Sequence, residues 1–384
     1  MTLAKKITII SGSLFLALLF LWGIYKFAFE AKTQFAAPIS TPTPTINPTE
    51  TTKPEEKVYA ISDGAVLSPT LTQDGQAIKY YTPDTGHVFQ VDLNGANKKT
   101  LSDKTLFGLT NVLWSPDKSK VISNFFVDGK TSFSLFDYAE NKAGQLPQNI
   151  NDIAWLNDTR ILYFYFNRET GMKNISIANP DGTDWKKITT IDKERIFFTP
   201  VPKTSLVSFW NFPDAYNESA LNTSSLLGDE NKQTITSGKF GADYLWSPDG
   251  SKVLMSYVNE KGGSQIQLGI ANASGGEFKN LDIPTLVSKC VWSQDNQTIF
   301  YSLPGLIPAT AVMPNDYFSK KLPTADSFWK FDLKTGKKTR LVELTDLKNL
   351  NISLDATKLF LDSSETILFF INRTDGKLYR LNIS

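Results

Sequence analysis

The chain holds one cysteine and one histidine in 384 residues. One thiol forms no internal disulfide, and one imidazole with one thiol cannot assemble the Cys/His ligand sets of zinc sites. A surplus of either charge is also missing. Forty Lys+Arg stand against 39 Asp+Glu, a formal net of +1, so the long basic face that binds nucleic acid is not expected. No Gly-x-Ser-x-Gly elbow occurs, and the sole imidazole, His87, lies in Thr85-Gly86-His87-Val88, where a turn enters a strand with no nucleophile signature around it. A Ser-His-Asp triad is therefore not supported, and no catalytic, cofactor-binding or metal-ligating residue is assigned. What is present is 41% hydrophobic and 12% aromatic residues, enough for a substantial core. Cys290, just ahead of Val291-Trp292, reads as a small buried apolar residue.

The amino terminus carries the one long apolar run. Ile7 to Tyr25 is uncharged and mostly apolar, and it continues past Lys26 as Phe27-Ala28-Phe29. Roughly 20 helical residues cross a ~30 Å hydrocarbon core. A signal peptide has a shorter apolar region and a small-x-small cleavage site, which the stretch from Glu30 to Ala37 does not offer well, so an uncleaved anchor at 7–29 is expected, with a cleaved signal as the alternative. Lys5 and Lys6 precede the run, which puts residues 1–6 in the cytoplasm and the remainder outside. Residues 30–56 follow as a linker. Its stretch Pro38 to Pro54 alternates prolines with threonines and has no apolar period, the composition of an extended stalk.

Residues 57–384 contain a repeat. Trp114-Ser115-Pro116-Asp117-Lys118-Ser119-Lys120-Val121 and Trp246-Ser247-Pro248-Asp249-Gly250-Ser251-Lys252-Val253 are the strong copies; Trp292-Ser293-Gln294-Asp295 and Trp155-Leu156-Asn157-Asp158 are weaker ones. Degraded copies begin near Leu71, Thr199 and Leu361, giving spacings of roughly 41–47 residues with one long interval, the length of a four-stranded propeller blade. Each unit reads as an apolar strand ending on the anchor, a Pro-Asp-Gly type turn, and further strands. The repeated aspartates suit side-chain-to-backbone bonding within that turn better than a carboxylate site. Asp332-Leu333-Lys334-Thr335-Gly336 reads as a hairpin turn. The last unit lacks an outer strand, and Lys57-Val58-Tyr59-Ala60-Ile61 is a strand left over at the start, so the second is expected to complete the first and close the ring.

The octapeptide Trp-Ser-Pro-Asp-Gly-Ser-Lys-Val resembles the WD40-like (Pro-Asp, "PD40") repeat of TolB-like propellers, over about residues 58–384. The resemblance implies an all-β chain, a seven-bladed β-propeller with six blades as the alternative. Proteins similar to it are mostly extracytoplasmic binding scaffolds, and the same repeat forms the propeller of prolyl-oligopeptidase-like peptidases. From these residues, neither the α/β domain of TolB nor a hydrolase domain is expected.

Two groups of residues are candidates for binding. Three residues before the anchors, where inner strands begin, the sequence places Asn111, Asp152, Arg195, Asp243 and Lys289, a possible ring at one mouth of the central channel. The long interval, Pro304 to Phe328, carries Tyr317, Phe318, Phe328 and the adjoining Trp329, candidates for a partner-facing loop or for a local cap. The expected function is that of a non-catalytic, membrane-tethered, extracytoplasmic binding or scaffold module with a partner in the cell envelope. The alternative is an enzyme or glycan-binding protein acting on a cell-wall glycan or peptide; clustered Asp152, Asp243 and Glu194 would favour it.

Overall fold

A computed structural model of the chain describes residues 56–228, 231–348 and 352–383. The expected segment 1–6, the span 7–29 and all but the last residue of the linker 30–56 lie outside them. Among the described residues no helix is long and apolar enough to cross a membrane.

The described chain is almost wholly antiparallel β-sheet. It opens with β1 (Val58–Ala65), and β2 (Leu67–Leu71), β3 (Ala77–Tyr81), β4 (Val88–Asp92) and β5 (Lys99–Ser102) make the first sheet in that order. The second is β6 (Leu109–Trp114), β7 (Lys120–Val127), β8 (Lys130–Asp137) and β9 (Lys142–Gln145). The third is β10 (Ile150–Asn157), β11 (Arg160–Phe166), β12 (Lys173–Ala178) and β13 (Lys186–Thr190). A 7-stranded sheet follows: β14 (Ile196–Pro200), β15 (Leu206–Asn211), β16 (Glu218–Ser225), β17 (Lys232–Trp246), β18 (Lys252–Val258), β19 (Ile266–Asn272) and β20 (Lys279–Asn280). Next come β21 (Cys290–Trp292), β22 (Thr298–Leu303), β23 (Ser327–Asp332) and β24 (Lys338–Arg340). The last sheet is β25 (Ala356–Leu361), β26 (Ile367–Asn372) and β27 (Lys377–Asn382), with β1 added beside β27. Two short helices, α1 (Asn315–Phe318) and α2 (Leu344–Lys348), interrupt the strands.

The leftover amino-terminal strand does close the array. β1 pairs antiparallel with β27, Tyr59 opposite Arg380, so the edge that β27 would otherwise expose is covered. The closing sheet then packs on the first through Ile61, Ile78, Val91, Phe369 and Leu378. Gly95 makes this approach possible: its φ is +85°, and a Cβ there would sit 2.9 Å from the Ile61 Cα. Similar apolar clusters lie between each sheet and the next, as where Ile122 and Phe133 meet Ile153 and Ile161. No sheet could bury both faces alone; stacking supplies the second face.

The repeated residues do repeated work. Anchor tryptophans donate their indole N–H back to the preceding unit: Trp114 to the Ser68 carbonyl at 2.8 Å, Trp155 to the Leu113 carbonyl at 2.9 Å, and Trp246 to Ser208 Oγ at 2.9 Å. In the turn after Trp246, the Asp249 carboxylate accepts from the Ser247 hydroxyl at 2.6 Å and the Ser251 N–H at 3.0 Å. The following unit then holds that turn, since Asp249 N–H donates to Asn296 Oδ1 at 3.0 Å; Asp117 N–H donates likewise to Asp158 Oδ1 at 2.8 Å, and Gln294 N–H to Glu365 Oε1 at 2.7 Å. The turn aspartates are thus structural, as the sequence suggests. The fourth residue after the anchor is left-handed in most units: Gly75, Lys118, Lys203, Gly250, Asn296 and Glu365 all have positive φ. Gly250 is required there, because a Cβ would lie 2.2 Å from the Pro202 carbonyl oxygen.

The single break in regularity is β17. Its 15 residues serve two neighbours in succession: Glu218 of β16 pairs with Phe240, and from Phe240 to Trp246 the strand pairs with β18 instead. Two four-stranded sets are fused through one strand.

Candidate functional site

First strands neighbour one another around the centre, β2 against β6, β6 against β10, β10 against β14 and β21 against β25. Along β2, β6, β10, β14 and β25 they line an open cavity of about 840 Å³ that reaches the Pro-Asp turns. Its lining includes Ser68, Asn111, Trp155 and three lysines, Lys118, Lys203 and Lys358, and contains no carboxylate. None of these lysines forms an ion pair among the described residues. Lys358 is water-accessible yet walled by the channel, and that loss of hydration alone pushes its pKa below the usual lysine value. Burial lowers Lys118 too, opposed by the nearby charges of Asp117 and Asp158.

The expected ring of residues divides. Asn111 lines the cavity, with its side-chain oxygen accepting from the Ser68 hydroxyl at 2.9 Å. Among the described residues Asp152 accepts only the adjacent Ile153 N–H, at 2.9 Å, and burial pushes its carboxyl up to about 6. Asp243 is lifted to about 6 for the same reason, although the Tyr244 N–H and Trp210 Nε1–H both donate to it at 3.0 Å. No hydrogen bond joins Asp152 to Asp243 or to Glu194.

Lys289 and Arg195 are corrections. Lys289 is fully buried and does not face the cavity: its Nζ lies 2.7 Å from Asp326 and 2.8 Å from Asp355, with Thr324 Oγ1 at 3.0 Å and the Ala356 carbonyl at 2.9 Å. Desolvation opposes its charge, but Asp326, Tyr317 and Asp355 outweigh it and hold the ammonium above its usual pKa. Arg195 precedes β14, whose residue three before Thr199 is the buried Ile196; its guanidinium instead stacks 3.5 Å from the Phe212 ring centroid in a separate cleft with Lys193 and Glu194.

Of the two readings of the insert between β22 and β23, its packing is that of a cap. Tyr317 and Phe328 are 3% and 0% exposed, and the Tyr317 hydroxyl donates to Asp355 at 3.1 Å. Phe318 packs on Phe212, and Trp329, half-buried, donates to Ser327 Oγ at 2.9 Å. The segment crosses to other sheets through Asn315 Nδ2, which donates to Asp214 at 2.8 Å, Met313 N–H, which donates to the Gly263 carbonyl at 2.9 Å, and Arg373, which donates to the Tyr317 carbonyl at 2.9 Å. It is a cap that staples several units together.

Sequence reasoning missed Ser68, Lys118, Lys203 and Lys358. The signal for two of them was present: Ser68 and Lys358 stand three residues before the anchors Leu71 and Leu361. Lys118 and Lys203 share the left-handed slot after the anchor, which the degraded fourth unit hides.

No protein-family model matches the chain. A stretch of 66 residues is 38% identical to the uncharacterized peptidase YuxL of Bacillus subtilis (strain 168), spanning 17% of this chain and 10% of that protein. Among solved structures, an oligogalacturonate lyase in complex with manganese is similar with a TM-score of 0.59 at 13% identity, covering 85% of this chain and 93% of the lyase. The β-propeller domain of the Trilobed protease from Pyrococcus furiosus is similar with a TM-score of 0.53 at 10% identity, covering 85% of this chain and 97% of that domain. The fold is a β-propeller.

Proposed function

We propose that this chain is a non-catalytic binding module: a seven-bladed propeller, counting the fused sheet as two blades, tethered by a single-pass anchor at 7–29 with its N-terminus inside and the propeller outside. Its partner belongs to the cell envelope and engages the turn-lined mouth of the channel. The observation that carries this is the cavity itself, which lies among the inner strands while the insert is committed to packing. A pocket of 300–1,000 Å³ is the usual size for a specific ligand. The test compares the full chain with Thr70→Trp, which places an indole in the cavity. Envelope components retained by the wild type should be lost from the variant at unchanged thermal stability; equal retention would put the binding surface elsewhere.

One observation favours the enzyme reading. Carboxyls held near 6, as Asp152 and Asp243 are, suit a general acid, and the similar solved structures include an oligogalacturonate lyase and the β-propeller domain of a protease. No hydrogen bond joins the two acids, and among the described residues no group of three or more His, Cys, Asp or Glu gathers as metal ligands. Turnover of a glycan or peptide that vanishes in Asp152→Asn would establish the alternative.

A further inference from the structure

We propose that the cavity binds a small oligoanion, a ligand with two or more carboxylate or phosphate groups spaced along the channel axis. The proposal rests on reading the channel as the ligand site and specifies its chemistry. Three observations lead to it.

The first is the composition of the wall. The chain as a whole is balanced at +1, yet this lining has three lysines and no acid. Asp117 and Asp158 lie outside the lining and offset part of the charge of Lys118, but both are held in their turns: Asp158 accepts the Asp117 N–H, and Asp117 accepts the Ser115 and Ser119 hydroxyls at 2.6 and 2.7 Å. Ammonium groups walled into a concave site lose hydration, and an anion relieves that cost.

The second is the placement of the charges. Lys118 and Lys203 occupy equivalent turn positions at the mouth, with φ of 62° and 56°. Lys358 stands three residues before its anchor, on the inner strand β25. It sits at a bulge there, with φ of 52° and a break in register between Thr357 and Phe360, so it enters the wall before the anchor, whereas the other two lysines enter after theirs. Charges at two depths suit an extended ligand with several negative groups better than a single phosphate.

The third is a neutral donor beside them. The Ser68 hydroxyl accepts the Val112 N–H at 3.1 Å and donates to Asn111 Oδ1. This fixes the amide so that Asn111 Nδ2, with no partner among the described residues, remains free to donate.

The experiment is titration calorimetry of the full chain, at low and high salt, with a linear tetrauronate, tripolyphosphate, inorganic phosphate and a neutral tetrasaccharide. At least one of the two oligoanions should bind more tightly than both phosphate and the neutral sugar, and which one binds distinguishes a carboxylate from a phosphate ligand. Lys358→Met and Lys203→Gln should each weaken it by about tenfold, and added salt should weaken it further. Lys261→Gln, outside the lining, should change nothing, and thermal unfolding checks that each variant is folded. Oligoanion binding no tighter than that of the neutral sugar, or indifferent to both lysines, overturns the proposal. If the neutral sugar alone binds and Thr70→Trp abolishes it, the anion class fails while the channel reading stands; if no probe binds and Thr70→Trp retains the envelope partner, both fail.

Discussion

Asp243 accepts two hydrogen bonds and is still pushed up to about 6, so the cost of removing its charge from water exceeds what the Trp210 and Tyr244 donors return. The sign of the consequence is fixed. The folded carboxyl keeps its proton to a higher pH than the unfolded one, whose ordinary value is 3.8, so stability falls as pH rises from about 4 to about 6 and is flat above. Asp243→Asn preserves both acceptor contacts without the charge. Its stability relative to wild type should therefore increase across that window and level off, as read from urea midpoints at pH 4, 5, 7 and 8; parallel curves would show that the charge costs nothing. Asp249 has the opposite sign. The Ser247 hydroxyl leads the contacts that hold it down to about 2, so Asp249→Ala should cost about 1–2 kcal/mol at neutral pH, a difference that closes as pH falls from about 4 to 2. The role of Asp249 is legible in the sequence because Ser-Pro-Asp recurs intact after Trp114 and Trp246. Asp243 and Asp152 differ: their positions repeat, but the burial that shifts them depends on neighbouring strands.

At the scale of elements, β1 and the insert are the two devices that complete the ring. Ile61 is 5% exposed in the cluster joining the last sheet to the first, and Ile61→Asp should cost about 3 kcal/mol or more by burying a carboxylate in apolar surroundings. Because β1 closes the array, the loss should appear as one cooperative transition at lower denaturant concentration, checked by fluorescence and far-UV dichroism together. The insert is held by Lys289. Lys289→Met would leave Asp326 buried without its cation and Asp355 with the Arg373 guanidinium alone, at 3.4 Å, an expected loss of about 3–5 kcal/mol in a urea titration. Lys289→Met combined with Asp326→Asn should recover part of it; a double variant as unstable as the sum of the singles would deny the coupling. Of these two devices the sequence reveals only β1, because a missing outer strand and a spare strand are both countable. Tyr317 and Phe328 look like a sticky loop because their partners, Asp355, Arg373 and Phe370, are distant in sequence. An aromatic in a long interval carries no local mark of which way it turns.

At the scale of the whole molecule, a repeat that closes on itself creates a space no single unit contains. The pattern of turns and anchors predicts that space, and the positions just before the anchors predict part of its wall. The rest arises from the unit starting near Thr199, where Pro200-Val201-Pro202-Lys203 replaces the Trp-Ser-Pro-Asp signature yet still delivers a lysine to the slot held by Lys118. The charge of the channel is therefore a property of the assembled ring. The most direct test of this account is hydrogen–deuterium exchange of the full chain with and without the oligoanion that binds most tightly among tetrauronate and tripolyphosphate. Exchange should slow in residues 111–118, 199–204 and 356–360, the segments that carry Lys118, Lys203 and Lys358, and the effect should disappear in Lys358→Met. Slowing confined to the outer strands β5, β9 and β13 or to the insert, with those three segments unchanged, would contradict it.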